Sequence, residues 1–297
     1  MSNQETNNTP ATTTPISHAN IVAKRVRASV QDGTLHLPAD YSAENALKSA
    51  WFTLQSVKTR SGQPVLTACT AASIQNALFA MVVFALNPAK KQCDFIAYGN
   101  QLVCQPTAEG DVSIVQRIRP GVEVYADVVY EKDEFDYENA HGKIFVTKHR
   151  QTLDNIRADQ IRAVFAGSRD PETGEDFGAI LMSMEQVRMA WTKSQNYSPD
   201  NPNCEHNKFP DQFAIRTAKR RFCKPIIRNS DDRQLREALQ QQDEITVLSG
   251  VDEAEAALAN CEILDFEEPA APALEETQTE AVPAQQEEPE PVQQRRF

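Results

Sequence analysis

Residues 210–228 read PDQFAIRTAKRRFCKPIIR, and this stretch predicts one long helix with a basic face. Pro210 suits the first helical position, where a backbone N–H would have no partner within the helix. Pro225 is expected to bend the helix near its end, because proline removes a backbone donor. Residues three or four apart share a helix face, and the cations recur at these spacings: Arg216, Lys219, Arg220, Arg221, Lys224 and Arg228.

This basic ridge favours a polyanionic partner. The six cations lie within thirteen residues that contain no acid, and only Asp211 precedes them in the helix. Like charges on one helix face repel one another, which costs stability unless a polyanion compensates. The ridge therefore indicates nucleic-acid binding, and an ordinary solvated helix face is the alternative interpretation.

The chain before this helix changes from a helical to a strand-rich pattern. Apolar spacing predicts helices from about residue 18 to 85, with a turn at Asp32-Gly33. Phe95 to Val103 is typical of a tight hairpin around Gly99-Asn100. Further patterns predict a short helix over 111–118, β-strands over 122–131, 143–149, 161–168 and 176–182, a helix over 184–194 and a polar loop over 195–209.

Together these elements predict an α+β fold. It comprises a helical N-terminal part, a β-hairpin, a small antiparallel sheet packed with helices, and the basic helix as the C-terminal helix of the core. Composition divides the chain further. We expect a disordered tail over 1–17, a core domain over 18–236, a short acidic and partly helical segment over 237–265, and a disordered acidic tail over 266–297.

The formal net charge of −12 belongs to the C-terminal end of the chain. Residues 1–236 hold 28 basic and 26 acidic residues, whereas residues 237–297 hold 2 basic and 16 acidic ones. The core is therefore compatible with a polyanionic partner. Apolar residues at helical spacing within the acidic segment favour a small helix that docks on a partner protein.

Several classes of function find no support in the sequence. No apolar run approaches the roughly 20 residues of a membrane helix, so a cytoplasmic location without a membrane partner is expected. The six cysteines lack a CxxC pair or zinc-ligand spacing, which indicates reduced thiols and no metal. No GxxxxGK[ST] phosphate loop is present, and no cofactor is expected. The five histidines fall in predicted tails, turns or loops and are expected at the surface.

An acidic cluster at residues 131–138 raises the alternative of a metal-dependent nuclease. Asp133, Asp136 and Glu138 would be its candidate ligands. Alternation along a β-strand places Asp133 on the opposite face from the other two, so the carboxylates converge poorly. A solvated strand edge is the favoured interpretation.

Several segments resemble the RecT family of phage and prophage single-strand DNA annealing proteins. The central ones are LNPAKKQC at 86–93 and FIAYGN at 95–100. Others follow in the same order: LP at 37–38, NALKSA at 45–50, VYEKDEF at 129–135, VTKH at 146–149, KFPD at 208–211, RT at 216–217, Arg221, CK at 223–224 and SDD at 230–232. The similarity spans about residues 35–235.

The resemblance implies an ATP-independent protein that binds single-stranded DNA and anneals complementary strands in homologous recombination, without bond-making chemistry. It implies a homo-oligomer, as a ring or helical filament, that holds single-stranded DNA and the annealed duplex in a basic groove. A RecE-like exonuclease is an expected partner, and a host single-strand-binding protein is another. A phage structural or adaptor protein that assembles without nucleic acid is the alternative outside enzymes.

One segment departs from the family pattern. Where the family commonly has a basic residue and an aromatic pair after the hairpin, this chain has PTAEGD at 106–111. Ile215 likewise stands where a lysine or arginine is frequent. Weaker strand binding than in a typical member is one expectation, and contacts between protomers at these positions are the alternative.

The candidate site residues follow from the basic helix and the resemblance together. Arg216, Arg221 and Lys224 match family positions and are the first candidates for phosphate contacts. Tyr98 and Trp191 are candidates for base stacking, although core packing is the favoured role of Trp191. Further candidate phosphate contacts are Arg220, Arg228, Lys208, Lys193, Lys148, Arg117, Lys90 and Lys91.

Overall fold

A computed structural model describes residues 16–192 and 197–248. Contacts divide the chain at residue 261, and all described residues belong to the first unit. The described part contains nine α-helices, a two-stranded sheet and a five-stranded sheet, both antiparallel. The predicted α+β class is confirmed. The predicted tails at 1–17 and 266–297 lie almost entirely outside the described residues.

The N-terminal part is helical, as predicted. It contains α1 (Ile16–Gln31), α2 (Ala43–Ser56), α3 (Val65–Ala68) and α4 (Ala71–Val83). Side-chain caps begin two of them: Ser42 accepts from the backbone of Asn45, and Thr70 accepts from that of Ser73. The buried residues of α4 include Ile74, Leu78, Met81 and Val82, which make it the centre of this helical group.

The hairpin follows α4 with the expected tight turn. β1 (Cys93–Tyr98) pairs with β2 (Gln101–Pro106), and Tyr98 lies opposite Gln101, which leaves Gly99 and Asn100 as the loop. Gly99 has a φ of +59°, a conformation that glycine adopts without strain. α5 (Ala108–Ile118) then begins three residues earlier than predicted, because Thr107 accepts a hydrogen bond from Gly110 and so caps it.

Five β-strands form the second sheet. They are β3 (Glu123–Tyr130), β4 (Glu134–Ala140), β5 (Lys143–Arg150), β6 (Ile161–Arg169) and β7 (Asp176–Ser183), in the order β3-β6-β7-β5-β4. Four of the five match predicted β-strands. β4 had no predicted range of its own, although the segment over 131–138 was interpreted as a solvated strand edge. Its apolar alternation is short, since only Phe135 and Tyr137 supply it before Asn139.

The C-terminal helices differ from the predictions at their boundaries. They are α6 (Met184–Trp191), α7 (Glu205–Lys208), α8 (Pro210–Arg228) and α9 (Arg233–Leu248). α7 is a single turn inside the segment predicted as a loop. α8 has the predicted bounds, and it continues past Pro225 for one further turn. Residue 236, the predicted end of the core domain, falls inside α9, whose Leu235 is fully buried in the core. The division into domains stays a prediction.

Helix α8 joins two hydrophobic cores. Phe213, Ala214 and Ala218 pack with the five-stranded sheet and α6. Cys223 and Ile227 pack with the N-terminal helices, the hairpin and α5. The two halves of the helix bury different sides, because Ala214 and Ala218 lie about 140–180° around the helix from Cys223 and Ile227. This double attachment fixes where its charged residues lie.

In the described part of the chain, no helix is both long enough and apolar enough to cross a membrane.

Substitution of Gly110 by alanine is expected to destabilise the protein, by about 2–3 kcal/mol on the scale of overpacked cores. A Cβ atom at this position would overlap the backbone carbonyl oxygen of Gln92, which cannot give way as a flexible side chain could. The free energy of unfolding, measured in denaturant, tests this. E109A is the matched control one residue away, since its exposed ion pair contributes under about 1 kcal/mol. Equal stability of the two variants would contradict the predicted clash.

Candidate nucleic-acid interface

Four cations of α8 reach the protein surface, although the two halves of the helix bury different sides. Arg221 and Arg228 are exposed, and Arg216 and Lys224 are partly exposed. Arg221, Lys224 and Arg228 follow one another at spacings of three and four residues, so they form one row on the helix surface. We call this row the basic stripe. Arg216 lies about one and a half turns before Arg221, with its guanidinium 5.3 Å from the ring centre of Phe213.

Two other cations of the ridge are neutralised within the molecule. Lys219 Nζ lies 2.6 Å from Glu109 Oε1, and Arg220 Nε lies 3.6 Å from Asp111 Oδ2. The side chains of Lys219 and Arg220 are only 19% and 12% exposed. The prediction that Asp211 alone offsets the ridge is therefore wrong. The acids that pair with these cations, Glu109 and Asp111, belong to α5. They are too far from α8 in the sequence for a local pattern to predict the pairing.

The pairing of Asp111 is electrostatically unusual. Burial raises the pKa of Asp111 to about 6, although Arg220 and Lys224 act to lower it. Desolvation of this carboxylate therefore outweighs the attraction of two cations.

Lys90 and Lys91 lie at the same end of α5 as these ion pairs. Both are exposed, at the end of a 3₁₀ turn over Pro88–Lys90. Thr107, the cap of α5, donates its hydroxyl to the carbonyl of Lys91 at 2.8 Å. The first turn of α5 therefore contacts both segments: its cap Thr107 bonds Lys91, and its Glu109 pairs with Lys219 of α8.

Three other candidate cations have partners within the protein. Arg117 donates to the carbonyl of Val83 at 2.6 Å and to Asp232 Oδ2 at 2.7 Å, and its side chain is 16% exposed. It thus ties α5 to α4 and to the residues that precede α9. Lys148 lies 2.7 Å from Glu134 on the neighbouring edge strand, and Lys208 lies 3.2 Å from Glu205. Lys193 lies outside the described residues.

The two aromatic candidates are buried. Tyr98 is 8% exposed and packs with Val103. Trp191 is 4% exposed and donates its indole N–H to Thr217 Oγ1 at 3.0 Å. Core packing of Trp191, the favoured interpretation, is confirmed. The burial of Tyr98 disfavours a stacking role, which stays a prediction.

The acidic cluster does not form a carboxylate centre. Asp133 lies in the turn before β4, where it accepts hydrogen bonds from the backbone of Tyr130 at 2.9 Å, from Gln151 at 3.2 Å and from Asn155 at 3.1 Å. Burial alone would raise the pKa of Asp133, but these bonds and one from His149 lower it on balance.

Asp136 and Glu138 are exposed residues of the edge strand β4, so the favoured strand-edge interpretation agrees with their positions. Among the described residues, no three Asp, Glu, His or Cys side chains are grouped as metal ligands. The five cysteines of the described part, Cys69, Cys93, Cys104, Cys204 and Cys223, are buried free thiols.

His206 is a residue that sequence reasoning misplaced. It was expected at the surface, but it is 1% exposed, with its ring centre 4.0 Å from that of Phe213 and 5.0 Å from that of Trp191. Burial, with the nearby charge of Arg216, lowers its pKa to about 4. The aromatic group at the start of α8 thus depends on a neutral imidazole.

Acidification is expected to destabilise the protein through His206. Its folded-state pKa lies below the ordinary value of 6.5, so its contribution to stability is complete above that pH and is lost as the pH falls towards about 4. The free energy of unfolding of wild type and H206N, measured across this range, tests the point. We expect the difference between the two proteins to shrink on acidification. A constant difference would contradict a neutral, buried imidazole.

Comparison with known proteins adds one positive result. The model of the RecT family matches residues 44–257, which include the hairpin, both sheets and the whole of α8. No curated protein sequence matches the chain. The matched region is well over half of the 297 residues and holds every described element of the candidate interface. The chain therefore belongs to the RecT family, whose function is single-strand DNA annealing in recombination.

Proposed function

We propose that the basic stripe, with Arg216, forms the phosphate-binding surface on which this protein holds single-stranded DNA for annealing. The observation that carries the proposal is the exposure of these cations on a helix that two hydrophobic cores hold in place. Such a helix presents charge on a rigid support, so little side-chain or backbone order has to be gained on binding.

Phosphate contacts suit a protein that must accept any sequence. Contacts to the backbone position a nucleic acid but carry no sequence information, and Watson–Crick pairing with a second strand supplies it. Annealing then needs the first strand to be held with its bases accessible. The reaction is ATP-independent in this proposal, in keeping with the lack of a GxxxxGK[ST] loop in the sequence.

The remaining candidates differ in the support that the structure lends them. Lys90 and Lys91 are exposed and lie across the first turn of α5 from α8, so they extend the proposed surface. Arg117 is assigned to internal packing, because both of its hydrogen-bond partners are protein groups. Arg220 is held inward by Asp111. Lys148 and Lys208 carry ion pairs that a phosphate would have to displace, and Lys193 stays a prediction.

The proposal includes assembly into a homo-oligomer in the cytoplasm of a bacterial host. Large exposed apolar side chains offer contacts between copies: Phe52 is 70% exposed, Met189 65% and Leu153 85%. Exposed apolar groups of this size are enriched at protein interfaces. A RecE-like exonuclease and a single-strand-binding protein are the proposed further partners, for which the acidic C-terminal region is the contact.

Replacing Arg221 and Lys224 by alanine is expected to weaken binding of single-stranded DNA at least about tenfold, equivalent to about 1.4 kcal/mol. Each lost phosphate contact also lowers the slope of log affinity against log salt by about 0.7 for single strands. Fluorescence anisotropy over a salt series measures both effects, and a strand-annealing assay gives the functional result.

The double variant K132A/R157A is the matched control, because it removes two exposed cations elsewhere and the same net charge. We expect it to keep the wild-type salt slope. If the two double variants behave alike, only overall charge matters, and the basic stripe is an ordinary solvated surface.

A chain that ends at Leu248 is expected to anneal naked oligonucleotides at least as well as the full chain. The residues removed contain thirteen acids and two bases, which repel DNA. Ile245 must be kept, since it packs against the cluster of Tyr98 and Val103. A chain that ends at Asn229 is the negative control, because it lacks the buried Leu235 and should unfold. Weaker annealing by the chain ending at Leu248 would assign the acidic region to the annealing surface.

A further inference from the structure

Asp111 is a buried acid with an incomplete set of partners. It lies in the first turn of α5 and is 5% exposed. Its Oδ2 atom is 3.6 Å from Arg220 Nε, a distance too long for a hydrogen bond. Both atoms are buried, and neither makes a hydrogen bond within the described part of the chain. The pair is thus held by charge alone.

Several titratable groups surround Asp111 and influence its charge state. α8 contributes Lys219, Arg220, Lys224 and the thiol of Cys223, whose own pKa is raised by burial and then by Asp111. Glu109 is the neighbouring acid on α5. Besides α8, α5 packs mainly on β2 and β3, whose titratable residues are Cys104, Glu123, Tyr125, Asp127 and Tyr130. Lys91 lies beside the start of α5, and Arg117 of α5 pairs with Asp232.

Arg220 occupies the middle of a row of cations. Arg216, Arg220 and Lys224 are four residues apart and so lie about 6 Å apart along the helix axis. Arg216 and Lys224 belong to the proposed DNA surface, whereas the side chain of Arg220 is 12% exposed and faces α5. The row therefore has a gap at its centre for as long as Asp111 holds Arg220.

We propose that Asp111 is a proton-linked restraint on DNA binding, which holds Arg220 against α5 when ionised and releases it to a phosphate when protonated. This inference rests on the proposed function of α8. Protonation converts the carboxylate to a neutral carboxyl group and raises the charge of the surface by one unit. Arg220 then loses its partner, and a phosphate of the bound strand replaces it.

The direction of the effect follows from linkage. Burial brings the pKa of Asp111 to about 6 in the free protein, and a nearby phosphate would raise it further because like charges disfavour ionisation. Binding therefore takes up a proton, and affinity increases as the pH falls through this range. At higher pH Asp111 is ionised and holds Arg220 against α5.

The test compares binding of wild type and D111N to an oligothymidylate without a terminal phosphate, from about pH 8 to about pH 5.5. Wild type should bind about fivefold more tightly at the lower pH, the size expected for one partly screened phosphate contact. D111N, which is neutral at every pH, should bind tightly throughout and change less than about twofold. Its salt slope at about pH 8 should exceed that of wild type by about 0.7.

Two further variants identify the groups responsible. R220Q removes the released cation, so it should bind as wild type does at about pH 8 and show little pH dependence. E109Q removes the adjacent exposed acid and should keep the wild-type pH dependence, because Asp111 is unchanged. If thermal denaturation shows that D111N does not fold, the comparison of wild type with R220Q still tests the proposal.

The outcomes separate this inference from the function on which it rests. A pH dependence that is equal in wild type and D111N, or that persists in R220Q, assigns the effect to other groups such as the histidines and overturns the proposal. Failure of the wild-type protein to bind DNA at any pH would instead overturn the proposed function.

Discussion

The burial of one helix in two hydrophobic cores is the constraint on which the rest of this structure depends. Phe213, Ala214 and Ala218 tie the first half of α8 to the sheet, and Cys223 and Ile227 tie the second half to the helices and the hairpin. The helix cannot rotate without exposing one set and opening a cavity at the other. Apolar residues therefore set the positions of the cations of α8. Because both cores are closely packed, the backbone that carries these cations is rigid.

Neutralisation by α5 then divides the cations of α8 into two kinds. Lys219 and Arg220 face the acids of α5 and are mostly covered, whereas Arg221 and Arg228 face solvent. Such a division reduces the repulsion that six unpaired cations on one helix would generate.

Local patterns predicted the local features well. The bounds of α8, the turn at Gly99-Asn100 and four β-strands of the larger sheet follow from periodicity and turn chemistry that neighbouring residues determine. The features that were missed depend on partners distant in sequence. Asp111 and Arg220 are 109 positions apart, and Arg117 meets Asp232 across 115. The burial of His206 likewise depends on Trp191 and Phe213, which no local pattern places around it.

The departure from the family pattern at residues 106–111 has a single physical explanation in this packing. Gly110 allows α5 to approach the backbone of Gln92, and any side chain there would overlap its carbonyl oxygen. The close approach brings Glu109 and Asp111, on either side of this glycine, to Lys219 and Arg220. A basic residue in place of either acid would meet α8 with a like charge, and at the buried position of Asp111 this repulsion is poorly screened. The two acids and the glycine therefore act as one unit. In this chain the segment acts on α8 by holding Lys219 and Arg220 against α5.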